Sequence, residues 1–258
     1  VTLISEVDRL IRHSESDYRI PKLRPQIHRL SGRAGEEQRE RPLANVGDQP
    51  YLYYAKGALV MYAIRDLIGE AALNKALATL VAKNLGKASA TTADLLAELR
   101  AVSSDQQSIL INEWIQKIVL YDLELASASV KQLAGGLFEV TATVTAAKRQ
   151  AASDGTDNEV PLDERIDLAV FRTVPDRTPS SDLIVSQRLK LRTGKNQVSL
   201  VVNEKPGYIA VDPWMLRIDR NRFNNGRPCG VEPVPTDSRT TGAPPSIRPG
   251  GRHRCRQR

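Results

Sequence analysis

The sequence predicts an α+β protein, with a helical region to about residue 120 followed by an antiparallel, immunoglobulin-like β-sandwich over residues 121–225. Two observations carry this expectation. Apolar residues recur at spacings of three and four as far as Val119, then alternate with polar ones from Tyr121 onward. A third, the change of composition at Gly226, marks the end of the part able to fold.

In the helical region, Leu3, Val7, Leu10 and Ile11 share one helical face. A charged stretch punctuated by Gly and Pro, Arg33 to Pro50, reads as a loop. Val60, Ile64, Leu67 and Ile68 restore the helical spacing, and Gly69 is a natural stop. Leu73, Leu77, Leu80 and Val81 form the next helix. Thr91 with Asp94 has the form of a capping box ahead of Leu95, Leu99 and Val102. Ile111, Trp114, Ile115, Ile118 and Val119 predict a last helix that runs to the boundary.

Beyond it, Tyr121, Leu123 and Leu125 alternate with polar neighbours. After Gly135-Gly136, Phe138, Val140, Ala142, Val144 and Ala146 point one way, with Glu139 and three threonines between them. Further strands are expected around Ile166 to Val170, Val185 to Arg192, Val198 to Val202 and Tyr208 to Val211. Gln150 to Glu159 reads as an exposed hairpin loop. About six short strands in this span suit a small two-sheet domain.

The net charge of +7 invites a nucleic-acid reading. Its location argues against one. Gly226 to Arg258 holds seven Arg against Glu232 and Asp237, a balance of +5, so the preceding 225 residues carry only +2. A phosphate-binding surface needs a concentrated basic face, and no nucleic-acid partner is expected. The tail lacks Lys and shows neither periodicity, so it is expected to stay disordered. Such an Arg/Pro/Gly composition is also what a frameshifted GC-rich gene encodes. Both cysteines, Cys229 and Cys255, lie there, which leaves the body without a disulfide framework. His13, His28 and His253 are scattered and HExxH is absent, so no self-contained metal site is expected and His13 and His28 read as surface residues. No apolar run approaches the roughly 20 residues of a membrane span, and the residues from Val1 do not read as a signal peptide.

The informative segment is Pro50-Tyr51-Leu52-Tyr53-Tyr54-Ala55-Lys56-Gly57, immediately before a patterned helix. Aromatic rings at such a place can simply anchor a helix start. The wider context, Tyr54-x-Lys56-Gly57 opening an apolar helix that ends in Ile68-Gly69-Glu70, resembles the zinc aminopeptidases related to membrane alanyl aminopeptidase and leukotriene-A4 hydrolase, the gluzincins. Ala55 departs from the Glu usual in that motif. Thr91-Thr92-Ala93-Asp94-Leu95 resembles a threonine-capped helix of the family, and Trp114 to Leu125 its junction into a β domain. The likeness covers about residues 1–225 and points to a bacterial subgroup in which the peptidase follows an ABC-transporter-permease-like membrane region.

The resemblance implies that residues 1–120 are the helical end of a metallopeptidase domain, and that the chain is a soluble segment of a membrane-associated parent, itself making no membrane contact. It implies zinc in the parent, a peptide substrate, and a catalytic Tyr54 whose phenol stabilises the developing oxyanion. Lys56 can be read as electrostatic support for Tyr54 or, equally, as a solvated lysine in the first helical turn. Gly57 is better explained by close packing, and Tyr53 reads as a neighbour pointing elsewhere on the same turn, with no direct role expected. The zinc ligands precede the tyrosine in these enzymes and are missing here, so the chain alone is expected to be inactive. A non-catalytic interaction scaffold built on the same fold is the alternative.

Overall fold

The computed structural model describes residues 40–47, 51–86, 89–152, 156–175 and 182–230. The expected helix at Leu3 to Ile11, all three histidines, Cys255 and the tail beyond Gly230 lie outside them.

Four α-helices come first among the described residues: α1 (Gly57–Ile68), α2 (Glu70–Asn84), α3 (Thr92–Ala101) and α4 (Asp105–Gln116). α1 stops where expected. Gly69 takes φ 86°, a left-handed conformation that favours glycine, and its N–H donates to the Arg65 carbonyl at 2.8 Å. The capping box at α3 is complete: Thr91 Oγ1 accepts from the Asp94 N–H and Asp94 accepts from the Thr91 N–H. Ser104 and Gln107 form a second box at α4, which the sequence reading had not singled out. In the described part of the expected loop before α1, residues 40–47, Leu43–Asn45 form a short 3-10 turn.

α4 ends at Gln116, earlier than the spacing suggests, and Ile118 and Val119 open strand β1 (Ile118–Gln132). Lys117 is already extended, and Ile118 pairs with Ala151 of β2 (Phe138–Ala151). Ile118 to Tyr121 are four consecutive buried residues, because this strand end is covered on both faces. Burial on both faces removes the alternation that would have distinguished strand from helix.

The remaining strands are β3 (Asp157–Val160), β4 (Asp163–Phe171), β5 (Leu183–Arg192), β6 (Gly194–Val202), β7 (Tyr208–Val211) and β8 (Gly226–Pro228). Two corrections follow. β2 and β3 both extend into the stretch expected as a loop, with Lys148 to Ala151 paired to Val160 to Asp157. Gly226–Pro228, assigned by composition to a structureless tail, pairs with β7, and Cys229 packs against the core. These few residues are ordered by a neighbouring strand rather than by their own preferences.

The strands form two four-stranded antiparallel sheets. In one, β2 lies between β1 on one edge and β3 and β6 on the other; the second runs β5-β4-β7-β8. Val140, Ala142, Val144 and Ala146 of β2 are buried as their alternation predicts, and they share one apolar core with Ile166, Leu168 and Val170 of β4. The same core continues into the helices through Ile64, Leu99, Ile111 and Trp114. Each fully buried Leu or Ile contributes roughly 1.5–3 kcal/mol. Helices and sheets are therefore packed as one body about a shared interior.

Candidate functional site

The chain enters α1 through a π-helical turn, Tyr51–Lys56. Such turns are locally wider than an α-helix and recur at functional sites. Leu52 and Lys56 are buried, whereas Tyr53 and Tyr54 face outward at 44% and 74% exposure. The two exposed rings lie against each other, with centroids 4.6 Å apart and planes tilted by 56°. The phenol of Tyr54 is thus presented at the surface by a turn whose inward residues are fixed in the core.

Lys56 is not a solvated first-turn lysine. Its ammonium is buried and pairs with Glu40, whose side chain is equally enclosed. Two charges removed from water persist only as partners, so the pair ties the segment at residue 40 to the turn. Close packing does not account for Gly57: a Cβ there would meet only the Leu52 carbonyl oxygen, at 3.6 Å, an ordinary contact. Among the described residues, no three His, Cys, Asp or Glu side chains are grouped to hold a metal ion.

Beneath this turn lies a cluster that sequence reasoning missed. Glu164 of β4 is buried and accepts from the Tyr121 hydroxyl at 2.9 Å. Lys148 Nζ of β2 lies 2.8 Å from the same carboxylate, and Arg217 Nε, after β7, lies 3.3 Å from it. Tyr121 in turn accepts from Trp114 Nε1 at 3.0 Å, and the Arg217 guanidinium stands 5.0 Å from the Trp114 ring centroid. Glu113 of α4 takes a second contact from Lys148. Side chains from three other segments reach the Glu164 carboxylate, and α4 joins them through Trp114 and Glu113. Burial and the neighbouring Glu164 push the Tyr121 phenol well above its usual value. Burial alone would lower the Lys148 ammonium, but Glu164 and Glu113 outweigh it and raise its pKa. A signal was present in the sequence: Lys148 continues the inward phase of Val144 and Ala146, and Glu164 that of Ile166 and Leu168.

The segment delivering Arg217 is shaped by two buried aspartates. Asp212, at φ 46°, accepts from the N–H groups of Leu216 and Arg217 at 3.0 and 2.9 Å. Asp219 accepts from Leu123 N–H, Asn221 N–H and Asn225 Nδ2. Burial pushes each carboxyl up to about 6. A second ionic contact joins the layers farther out, where Arg188 of β5 bridges Asp167 of β4 and Asp66 of α1, each at 2.8 Å.

No helix among the described residues is long and apolar enough to cross a membrane. The chain matches no protein-family model and no curated protein.

Proposed function

We propose that this chain is the C-terminal part of a zinc aminopeptidase-like protein of the gluzincin type, and that it supplies the oxyanion-stabilising tyrosine, Tyr54. In this reading the helices complete the metallopeptidase domain, and the two sheets, from Ile118 to Pro228, correspond to its immunoglobulin-like β domain. The carrying observation is the placement of Tyr54: an exposed phenol on a π-helical turn whose flanking side chains, Leu52 and Lys56, are buried. Among the described residues no three His, Cys, Asp or Glu side chains are grouped to hold a metal ion; in this reading the zinc, its ligands and the membrane region are contributed by the proposed bacterial parent.

The chemistry asked of Tyr54 is limited. Its hydroxyl donates a hydrogen bond to an oxygen that gains negative charge as a peptide carbonyl is attacked. That bond strengthens as the charge grows, so it lowers the transition state more than the ground state. Loss of one such donor typically costs about 2.7–4 kcal/mol.

The test is to express the chain together with its upstream coding sequence and follow release of amino-acid amides. Chelator-sensitive release is expected, with Tyr54→Phe lowering kcat about 10²–10³-fold while the far-ultraviolet spectrum is unchanged. The 258-residue chain alone should release none. Full activity in the variant overturns the role of Tyr54. A parent without HExxH, bound zinc or activity supports a non-catalytic interaction scaffold instead.

A further inference from the structure

The turn bearing Tyr54 rests on the buried cluster. Its inward residue Lys56, with Val60 one turn further on, lines a cavity of about 10 Å³ that Trp114 and Tyr121 also line. A space of this size holds no more than about one water. With so little space between them, a displacement of the aromatic pair is felt at Lys56 and Val60. Trp114 and Tyr121 are themselves held in line by the bonds from Trp114 Nε1 to Tyr121 and from Tyr121 to Glu164. Glu164 is anchored from both sheets, by Lys148 on β2 and by the segment that follows β7 through Arg217.

We propose that Glu164 and Tyr121 are positioning residues for Tyr54: the carboxylate fixes the two aromatic rings, and the rings fix the turn that aims the phenol. This rests on reading Tyr54 as the reacting-site hydroxyl, yet it concerns the orientation of that residue and not the reaction. An apolar joint of equal volume would be about as stable as a buried ionic one. Hydrogen bonds add direction. A donor at a reacting centre needs that direction, because a misplacement of about 1 Å can cost about 10²-fold in rate. The β region then acts as a rigid footing for the helical turn.

The experiment uses the whole 258-residue chain with ring-labelled tyrosine, the Tyr54 resonance being assigned by Tyr54→Phe. Tyr121→Phe keeps the core filled and removes only the hydroxyl link. It should shift or broaden the Tyr54 resonance and speed amide exchange over residues 51–60 by at least about tenfold, where tenfold is about 1.4 kcal/mol. Glu164→Gln should act in the same direction and more strongly; if it fails to fold, Tyr121→Phe decides. Val140→Ala, a core truncation toward the other end of β2, should leave the Tyr54 resonance in place. An unmoved resonance with unchanged exchange in Tyr121→Phe overturns the proposal, and so does an equal response to Val140→Ala. The reading of Tyr54 fails separately: a moved resonance together with a fully active Tyr54→Phe parent removes the peptidase and leaves the coupling.

Discussion

Tyr121 and Glu164 are 43 residues apart in the chain, yet the phenol of one donates to the carboxylate of the other at 2.9 Å in a site closed to solvent. The bond crosses from the strand that follows the helices to the neighbouring sheet. Around it, Lys148 and Arg217 balance the charge of Glu164, and Glu113 balances what remains on Lys148. Removing Glu164 takes from Arg217 its ion-pair partner in the cluster and from Lys148 one of its two.

Glu164→Leu should accordingly destabilise the protein by roughly 3–5 kcal/mol, since it takes the ion-pair partner from the buried Arg217 and leaves Lys148 with Glu113 alone. Urea unfolding monitored by tryptophan fluorescence measures this, because Trp114 belongs to the same cluster. A loss below about 1 kcal/mol would show the cluster to be solvated in solution.

The cluster should also be sensitive to alkali. Tyr121 and Lys148 both hold their protons above the ordinary values of 10.0 and 10.5. Their contribution is complete below those values and is lost as pH rises through the folded ones, where the unfolded chain has already released its protons. Unfolding free energy measured from pH 8 to 11 should fall, and less steeply in Tyr121→Phe. Identical slopes for the two proteins would contradict the assignment to Tyr121.

In acid the two buried aspartates act in the same sense. Asp212 and Asp219 have pKa values raised to about 6 by burial, so their contribution is full below about 3.8 and lost as pH rises through about 6. Asp212→Asn removes one of these charges, and Asn tolerates the left-handed backbone at φ 46°. Stability of the parent chain relative to this variant should decline between pH 4 and 7. A constant difference across that window would refute the raised value at Asp212.

The outer contact from Arg188 to Asp66 is partly exposed, with side chains 37% and 33% accessible. Asp66→Asn should cost no more than about 1 kcal/mol, and the loss should shrink in about 1 M salt. Thermal melts at two ionic strengths distinguish this from the buried cluster, whose contribution salt should barely alter.

Local signals were legible from residue order alone. The stop at Gly69 follows from one glycine's access to positive φ, and the start at Thr91 from one side chain reaching a nearby N–H. Alternation along Phe138 to Ala146 named the buried face of β2 correctly because every second side chain points to the same side. The exposed tyrosine pair was singled out by sequence, but its exposure and the burial of Lys56 were not. At Ile118 and Val119 the local signal misled, since burial on both faces has no period.

Strand register and the packing of layers settled the remainder. Lys148 meets Glu164 only because β2 and β4 lie in facing sheets, and Asp219 reaches the Leu123 N–H from 96 residues away. β8 is ordered by its pairing with β7 despite a composition that favours no structure. Periodicity and capping are properties of neighbouring residues, and the order of residues encodes them directly. The partner of a buried charge depends on which distant segments are brought together, and on the cost of leaving that charge unpaired away from water.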